Sequence, residues 1–207
     1  MSMKERIERI RNSIGDAQLV CVTKGRDCSL INESIDAGVT DIGENRVKEF
    51  SEKAASLKPC TRHMIGHLQR NKVKWATELF DMIQSVDRLV LARQIDKRMG
   101  EQGGRMPILV QVNIARETQK HGADPDELEE LVRLIAAMEH IRVHGLMCMV
   151  PFHGDPRPYF RKMRRTFDSM KDTYGMDTLS MGMSGDYQVA VEEGSTMVRI
   201  GSAIFNR

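Results

Sequence analysis

The sequence has little of several things, and each shortage removes a class of protein. There is no charge excess of one sign: 31 lysines and arginines stand against 29 aspartates and glutamates, a formal net charge of +2. Such a balance argues against a general nucleic-acid or membrane-surface binder, so neither partner is expected. No apolar run approaches the roughly 18–20 residues that a membrane-spanning helix needs. The opening segment from Met1 to Arg11 is dense in charge and has no apolar core, so no secretory signal is expected. There are only four cysteines, Cys21, Cys28, Cys60 and Cys148, scattered and without a C-x-x-C pair. That pattern fits reduced thiols and a cytoplasmic location. Aromatics are sparse at 5%, but hydrophobic residues reach 41%, which places the chain with soluble globular proteins rather than disordered ones.

No linker, low-complexity tract or repeat interrupts the chain, so one domain over residues 1–207 is expected. A chain of this length can bury a sizeable core without disulfides or metals. Cys60, His63 and His67 have a spacing loosely like that of metal ligands. No fourth ligand lies nearby, however, and the stretch after Thr61 reads as a strand rather than a finger, so no metal site is expected.

What the sequence does contain is a regular alternation of strand and helix signals. Ile7, Ile10 and Ile14 fall on one face of a charged opening helix. Strands are expected at residues 18–24 (QLVCVTK), 40–43, 62–66, 79–85 (LFDMIQS), 106–112 (MPILVQV), 141–147, 177–181 and 197–200. Helices are expected between them at residues 28–37, 45–56, 69–76, 87–99, 125–140, 158–174 and 185–193. Asp87 and Asp124 are the candidate caps of the fourth and fifth of these. In the fifth, Leu128, Leu131, Val132 and Ile135 form the expected buried face. Strict β/α alternation implies a parallel sheet, and eight units match a small (β/α)8 barrel with an extra N-terminal helix. An open doubly wound sheet is the alternative, but it would want a glycine-rich turn after the first strand, which Thr23-Lys24-Gly25-Arg26 does not supply.

In such barrels function gathers at the C-terminal ends of the strands. Polar residues at those ends include Lys24, Glu44 with Asn45, His67, Ser85, Asn113, Ser184, and Arg199 with Gly201. A lysine partly desolvated at the end of a buried strand is a nucleophile able to form a Schiff base with an aldehyde. Its plainer reading is a strand-end lysine reaching solvent. The segment Ser180-Met181-Gly182-Met183-Ser184-Gly185-Asp186 ends the seventh strand and opens a helix. The stretch Gly194 to Ser202 supplies a second glycine- and serine-bearing strand end. Free backbone N–H groups with a serine hydroxyl suit a phosphate, and the loops after strands 7 and 8 are its usual place in these barrels. A phosphate cradle beside a strand-end lysine points to a phosphorylated aldehyde, of which pyridoxal 5′-phosphate (PLP) is the common one. Arg199 then becomes either a donor to the pyridine nitrogen or a clamp on an anion.

These residues resemble a known family. Val22-Thr23-Lys24, Ile42-Gly43-Glu44-Asn45, His63-Met64-Ile65-Gly66-His67-Leu68-Gln69 with Asn71-Lys72, and Val110-Gln111-Val112-Asn113 with Glu117 and Lys120 are similar to segments of the YggS/PROSC family, the pyridoxal phosphate homeostasis proteins. Gly145-Leu146-Met147 matches as well, as do Leu179 to Ser184 with Asp186 and Gly194 to Phe205, so the likeness covers the chain in order. The resemblance implies a PLP-binding barrel of the alanine racemase type without that enzyme's second β-domain. It implies that Lys24 carries PLP as a Schiff base, that Asn45 lies near the ring and that Arg199 faces the pyridine nitrogen. Ser184, Gly201 and Ser202 would cradle the phosphate. Lys120 matches a lysine implicated in handling or releasing PLP, and His67 would line the mouth. Arg26, Arg46 and Arg62 depart from the family's usual lysine, tyrosine and aromatic at their positions, which touches the mouth's wall rather than the cradle. The function implied is to buffer or deliver PLP, with PLP-dependent apo-enzymes as partners, a monomeric state and no efficient turnover, because the racemase's second acid/base would be missing. A PLP-dependent racemase or decarboxylase of low activity is the runner-up, and a phosphosugar-binding barrel enzyme without PLP is the third reading.

Overall fold

In the structure, a computed structural model that describes residues 1–206, eight strands follow one another round a closed, all-parallel barrel. They are β1 (Gln18–Val22), β2 (Asp41–Glu44), β3 (Thr61–Met64), β4 (Met82–Val86), β5 (Met106–Val112), β6 (Ile141–Cys148), β7 (Thr178–Ser180) and β8 (Met197–Ile200). Closure comes from β8 pairing with β1 in the register Val20–Arg199 and Cys21–Ile200. The eight-unit barrel reading therefore holds, and the open sheet does not. Parallel strands covered by helices are buried on both faces, which is why β5 reads as a nearly continuous apolar run and begins and ends where the sequence places it.

Outside the strands lie α2 (Cys28–Asp36), α3 (Val47–Lys53), α4 (Val73–Leu79), α5 (Leu89–Gln102), α6 (Leu128–Ala136), α7 (Arg157–Tyr174) and α8 (Tyr187–Glu192), preceded by α1 (Met3–Ile14) and followed by α9 (Ser202–Phe205). The opening helix is built as its pattern predicts. Ser2 and Glu5 form a reciprocal capping box, and Met3, Ile7, Ile10 and Ile14 are buried. Its position is informative. Arg6 Nε donates to the Ile204 carbonyl at 2.6 Å, Ser13 Oγ meets the Tyr187 hydroxyl at 3.3 Å, and Arg11 donates to the Gly38 carbonyl. Thus α1 lies between α8 and the end of α2 and covers the β8–β1 seam, which the four-residue α9 is too short to cover.

Two expected caps act differently. The N-cap of α5 is Arg88, not Asp87, and it makes no side-chain cap bond. The Asp87 carboxylate turns sideways to Arg88 Nη1 at 2.7 Å. Asp124 precedes α6 by a turn and accepts from the Asp126 N–H at 2.9 Å, so the helix starts at Leu128 rather than at 125. Likewise β4 starts at Met82, because Leu79 completes α4 and the Asp81 carboxylate accepts from the Arg62 N–H. Local signals located these elements, while neighbouring chain set their ends.

Candidate functional site

The ends of β7 and β8 come together as the sequence motifs suggest. Ser184 follows β7, and its hydroxyl oxygen accepts from the backbone N–H of Gly201 and of Ala203, each at 3.3 Å. Those two N–H groups open the short α9, so one oxygen spans two convergent donors in the way a phosphate oxygen would. Gly182, with φ +95°, turns the chain after β7 in a backbone region that L side chains rarely adopt, and a Cβ there would press on Ala190. The Asp186 carboxylate accepts from the Met183 N–H at 2.6 Å and fixes the loop that presents Ser184. Ser202 is exposed at the start of α9.

Lys24 lies two residues beyond β1, on an exposed turn. The desolvation expected from a strand-end position is thus not met. The strand ends earlier, at Val22, and the turn lifts the lysine to the rim. Its neighbourhood is still that of the cradle. Gly201 packs so close to Val22 that a Cβ on it would stand 3.1 Å from the Val22 carbonyl oxygen. Arg26, two residues on, donates to Asn206 Oδ1 at 2.9 Å, and its guanidinium sits 5.2 Å from the centre of the Phe205 ring. The lysine's turn is therefore strapped to α9. Beneath it, the Thr23 hydroxyl donates to Glu44 Oε1 at 2.6 Å, and Lys53 Nζ reaches the same oxygen at 2.6 Å. Burial raises the Glu44 carboxyl above its ordinary range, against the opposing pull of Lys53 and Thr23, and its second oxygen, Oε2, is buried without a partner among the described residues.

Arg199 occupies the inside of the barrel and is 3% exposed. Its guanidinium donates to Ser180 Oγ at 2.5 Å and to the Cys148 carbonyl at 2.8 Å, and burial pulls it below the usual arginine value. Ser180 donates in turn to Gln84 Oε1 at 2.8 Å. Gln84 Nε2 contacts His63 Nδ1 at 3.0 Å, and His63 Nε2 contacts Asp41 Oδ1 at 2.9 Å. An amide nitrogen only donates, so this arrangement assigns the His63 proton to Nε2. The chain runs from a buried cation to a buried carboxylate, with each group donating towards Asp41. Burial works against the Asp41 charge, but the bonds from His63, Thr40 and Gln18 prevail and hold its carboxyl below the ordinary value.

The other expected residues sit round the same mouth. Asn45 follows β2, half-buried, with Gly66 packed on its backbone so tightly that a Cβ would lie 2.3 Å from the Asn45 carbonyl oxygen. Asn45 and His67 line a cavity of about 330 Å³ together with Arg46, Lys48, Gln69 and Lys72. Lys120 lies on the loop after β5, across the mouth from Lys24. It donates to the Val150 carbonyl at 3.0 Å and pairs with the Glu117 carboxylate. The structure thus gathers Lys24, Ser184, Gly201 and Ser202 on one side of the mouth, with Asn45, His67 and Lys120 elsewhere on the rim and Arg199 below it. Cys60, His63 and His67 do not assemble: His63 is engaged inside the barrel, and His67 stacks on His121.

Sequence reasoning missed the Asp41–His63–Gln84–Ser180 chain and the Glu44–Lys53 pair. The available signal was a polar residue inside an apolar strand, as with Gln84 in β4, which seldom stays buried without partners.

The architecture and the cradle define a class: a barrel of the kind that forms the N-terminal domain of alanine racemase. The chain matches that domain family over residues 1–206. A pyridoxal phosphate homeostasis protein from Aquifex aeolicus is 38% identical over 205 residues, covering 96% of this chain and 90% of the relative. Among solved structures, PipY of Synechococcus elongatus with PLP bound is 32% identical with a TM-score of 0.92, covering 99% of this chain and 100% of that one. An alanine racemase from Clostridium difficile shares the fold at 14% identity and a TM-score of 0.79, with 59% of its chain covered. The chain belongs to the family of pyridoxal phosphate homeostasis proteins.

Proposed function

We propose that this chain is a PLP-binding barrel over its whole length that serves PLP homeostasis, holding the cofactor as a Schiff base on Lys24 without catalytic turnover. The observation that carries the reading is the cradle: Ser184 Oγ, 3.3 Å from two convergent backbone N–H groups, beside the turn that bears Lys24. Family membership and the PLP in the PipY structure support the choice of this phosphorylated aldehyde over a phosphosugar. Bound there, PLP supplies an aldehyde that condenses reversibly with a primary amine, releasing one water.

The chain's own residues have distinct tasks in this reading. The N–H groups of Gly201 and Ala203, with the hydroxyls of Ser184 and Ser202, hold the phosphate. Lys24, already exposed, provides the amine without any opening of the fold. Arg199, whose guanidinium can only donate, faces the pyridine nitrogen and leaves it unprotonated, which weakens the ring as an electron sink. Asn45 bounds the ring's side of the mouth, with His67 and Lys120 further round the rim, Lys120 where it can take part in release. A carrier of this kind delivers PLP to PLP-dependent apo-enzymes as a monomer, and the four free cysteines are in keeping with a cytoplasmic location.

The test is borohydride trapping after incubation with PLP, followed by peptide mass mapping and by assay with a panel of amino acids. A single adduct on Lys24 and no turnover are expected. An adduct on another lysine, or none, overturns the assignment, and turnover moves the protein to the low-activity racemase or decarboxylase reading.

A further inference from the structure

We propose that His67, Asp87 and His121 form a binding site for a divalent transition-metal ion such as zinc or cobalt, on the rim of the barrel opposite the phosphate cradle. The three residues come from the ends of β3 and β4 and from the loop after β5. Their ligand atoms all lie within 4.8 Å of one another. Zinc binds histidine nitrogen and carboxylate oxygen at about 2.0–2.2 Å, so ligand atoms round one tetrahedral ion stand roughly 3.3 Å apart. Side-chain rotation that unstacks the two histidines closes that gap.

The imidazoles of His67 and His121 stack with ring centres 3.6 Å apart and planes 13° from parallel, so they are adjacent, and one ring turns out of the stack for both lone pairs to converge on one ion. His67 Nδ1 is buried without a hydrogen-bond partner among the described residues and lies 3.9 Å from Asp87 Oδ2. Arg88 takes the other oxygen, Oδ1, at 2.7 Å, which orients the carboxylate with Oδ2 towards the histidines. Outer contacts that orient a ligand in this way are a regular feature of metal sites. The loop bearing His121 is pinned on both sides: Gln111 Nε2 donates to the His121 carbonyl at 2.9 Å, and the Asn113 N–H donates to the Ala123 carbonyl at 2.9 Å. Arg88 is committed to Asp87 and Lys120 is paired with Glu117, while Arg46, Lys48 and Lys72 line the cavity that His67 borders.

Two imidazole nitrogens and one carboxylate oxygen select a borderline ion over magnesium or calcium, which prefer all-oxygen shells. Three protein ligands leave a fourth position open, and His121 is exposed. The inference departs from the sequence-based expectation of no metal, because positions 67, 87 and 121 are too far apart in sequence to show a ligand spacing.

The proposal stands apart from the PLP reading and is tested without the cofactor. The full chain is titrated with zinc by calorimetry and with cobalt by its visible d–d absorption. One ion per chain is expected, with affinity falling at least about tenfold in His121→Ala and in Asp87→Asn. His140→Ala, remote from the cluster, should bind as the parent does. His121 is exposed, so its removal takes away the stack on His67 but no buried core contact, and circular dichroism checks the fold. Absence of saturable binding overturns the proposal, as does binding that survives both His121→Ala and Asp87→Asn, which would assign the ion to thiols or other histidines.

Discussion

Ser180 on β7 and Gln84 on β4 are joined by a 2.8 Å hydrogen bond across the inside of the barrel. The two strands are not neighbours in the sheet, so this contact ties opposite walls together. It also links Arg199 to His63 and Asp41. Gln84→Leu removes the acceptor of Ser180 and the donor to His63 at once. The expected loss is about 2–4 kcal/mol, since a buried polar group left without its partner costs roughly 1–3 kcal/mol. Urea unfolding measures it. A loss under about 0.5 kcal/mol would mean that the chain contributes no net stability.

The cradle and the lysine make separable contributions. Lys24→Ala should abolish the borohydride-trapped adduct, whereas Lys120→Ala should retain it. Ser184→Ala leaves the Gly201 and Ala203 donors in place and removes one hydroxyl. PLP affinity should therefore weaken by about 1.5–3 kcal/mol, the range for hydrogen bonds to charged groups. Equilibrium dialysis of the three variants distinguishes the roles. An unchanged affinity in Ser184→Ala would move the phosphate away from this turn.

Lys53 and Glu44 form a buried ion pair, with side-chain exposures of 9% and 0%. Lys53→Met strands the carboxylate and should cost about 3–5 kcal/mol at neutral pH. The double variant Lys53→Met with Glu44→Leu should recover most of that loss. The Glu44 carboxyl is already raised by burial, and removing Lys53 raises it further. A raised group favours the folded state when protonated, so the defect should shrink as the pH falls through the folded Glu44 value. Urea unfolding at neutral and acid pH tests both the size and the sign.

Asp41 should respond in the opposite sense. Its folded carboxyl is held below the ordinary value by His63, Thr40 and Gln18 despite burial. The stability it supplies is complete above the unfolded carboxylate value of about 4 and disappears as the pH falls through the lower folded value. Asp41→Asn should therefore be less stable than the parent at neutral pH and converge on it in acid. A gap that stays constant with pH would show that the charge on Asp41 plays no part.

The sequence by itself determined the barrel. Strand and helix signals alternate eight times, the buried face of α1 is spelled out by Ile7, Ile10 and Ile14, and the Gly/Ser turns after β7 and β8 mark the place of the proposed phosphate cradle. These are local properties, written in periodicity and turn chemistry over a few residues. Closure of the barrel decided the rest. It set Lys24 on an exposed turn rather than in a desolvated strand end, because β1 stops at Val22 where it meets Gly201. It aimed Arg199, Ser180, Gln84, His63 and Asp41 at one another from five strands. It also brought His67, Asp87 and His121 to one point of the rim. Contacts between residues tens of positions apart depend on how the strands register as the sheet closes, and no short stretch of chain encodes that.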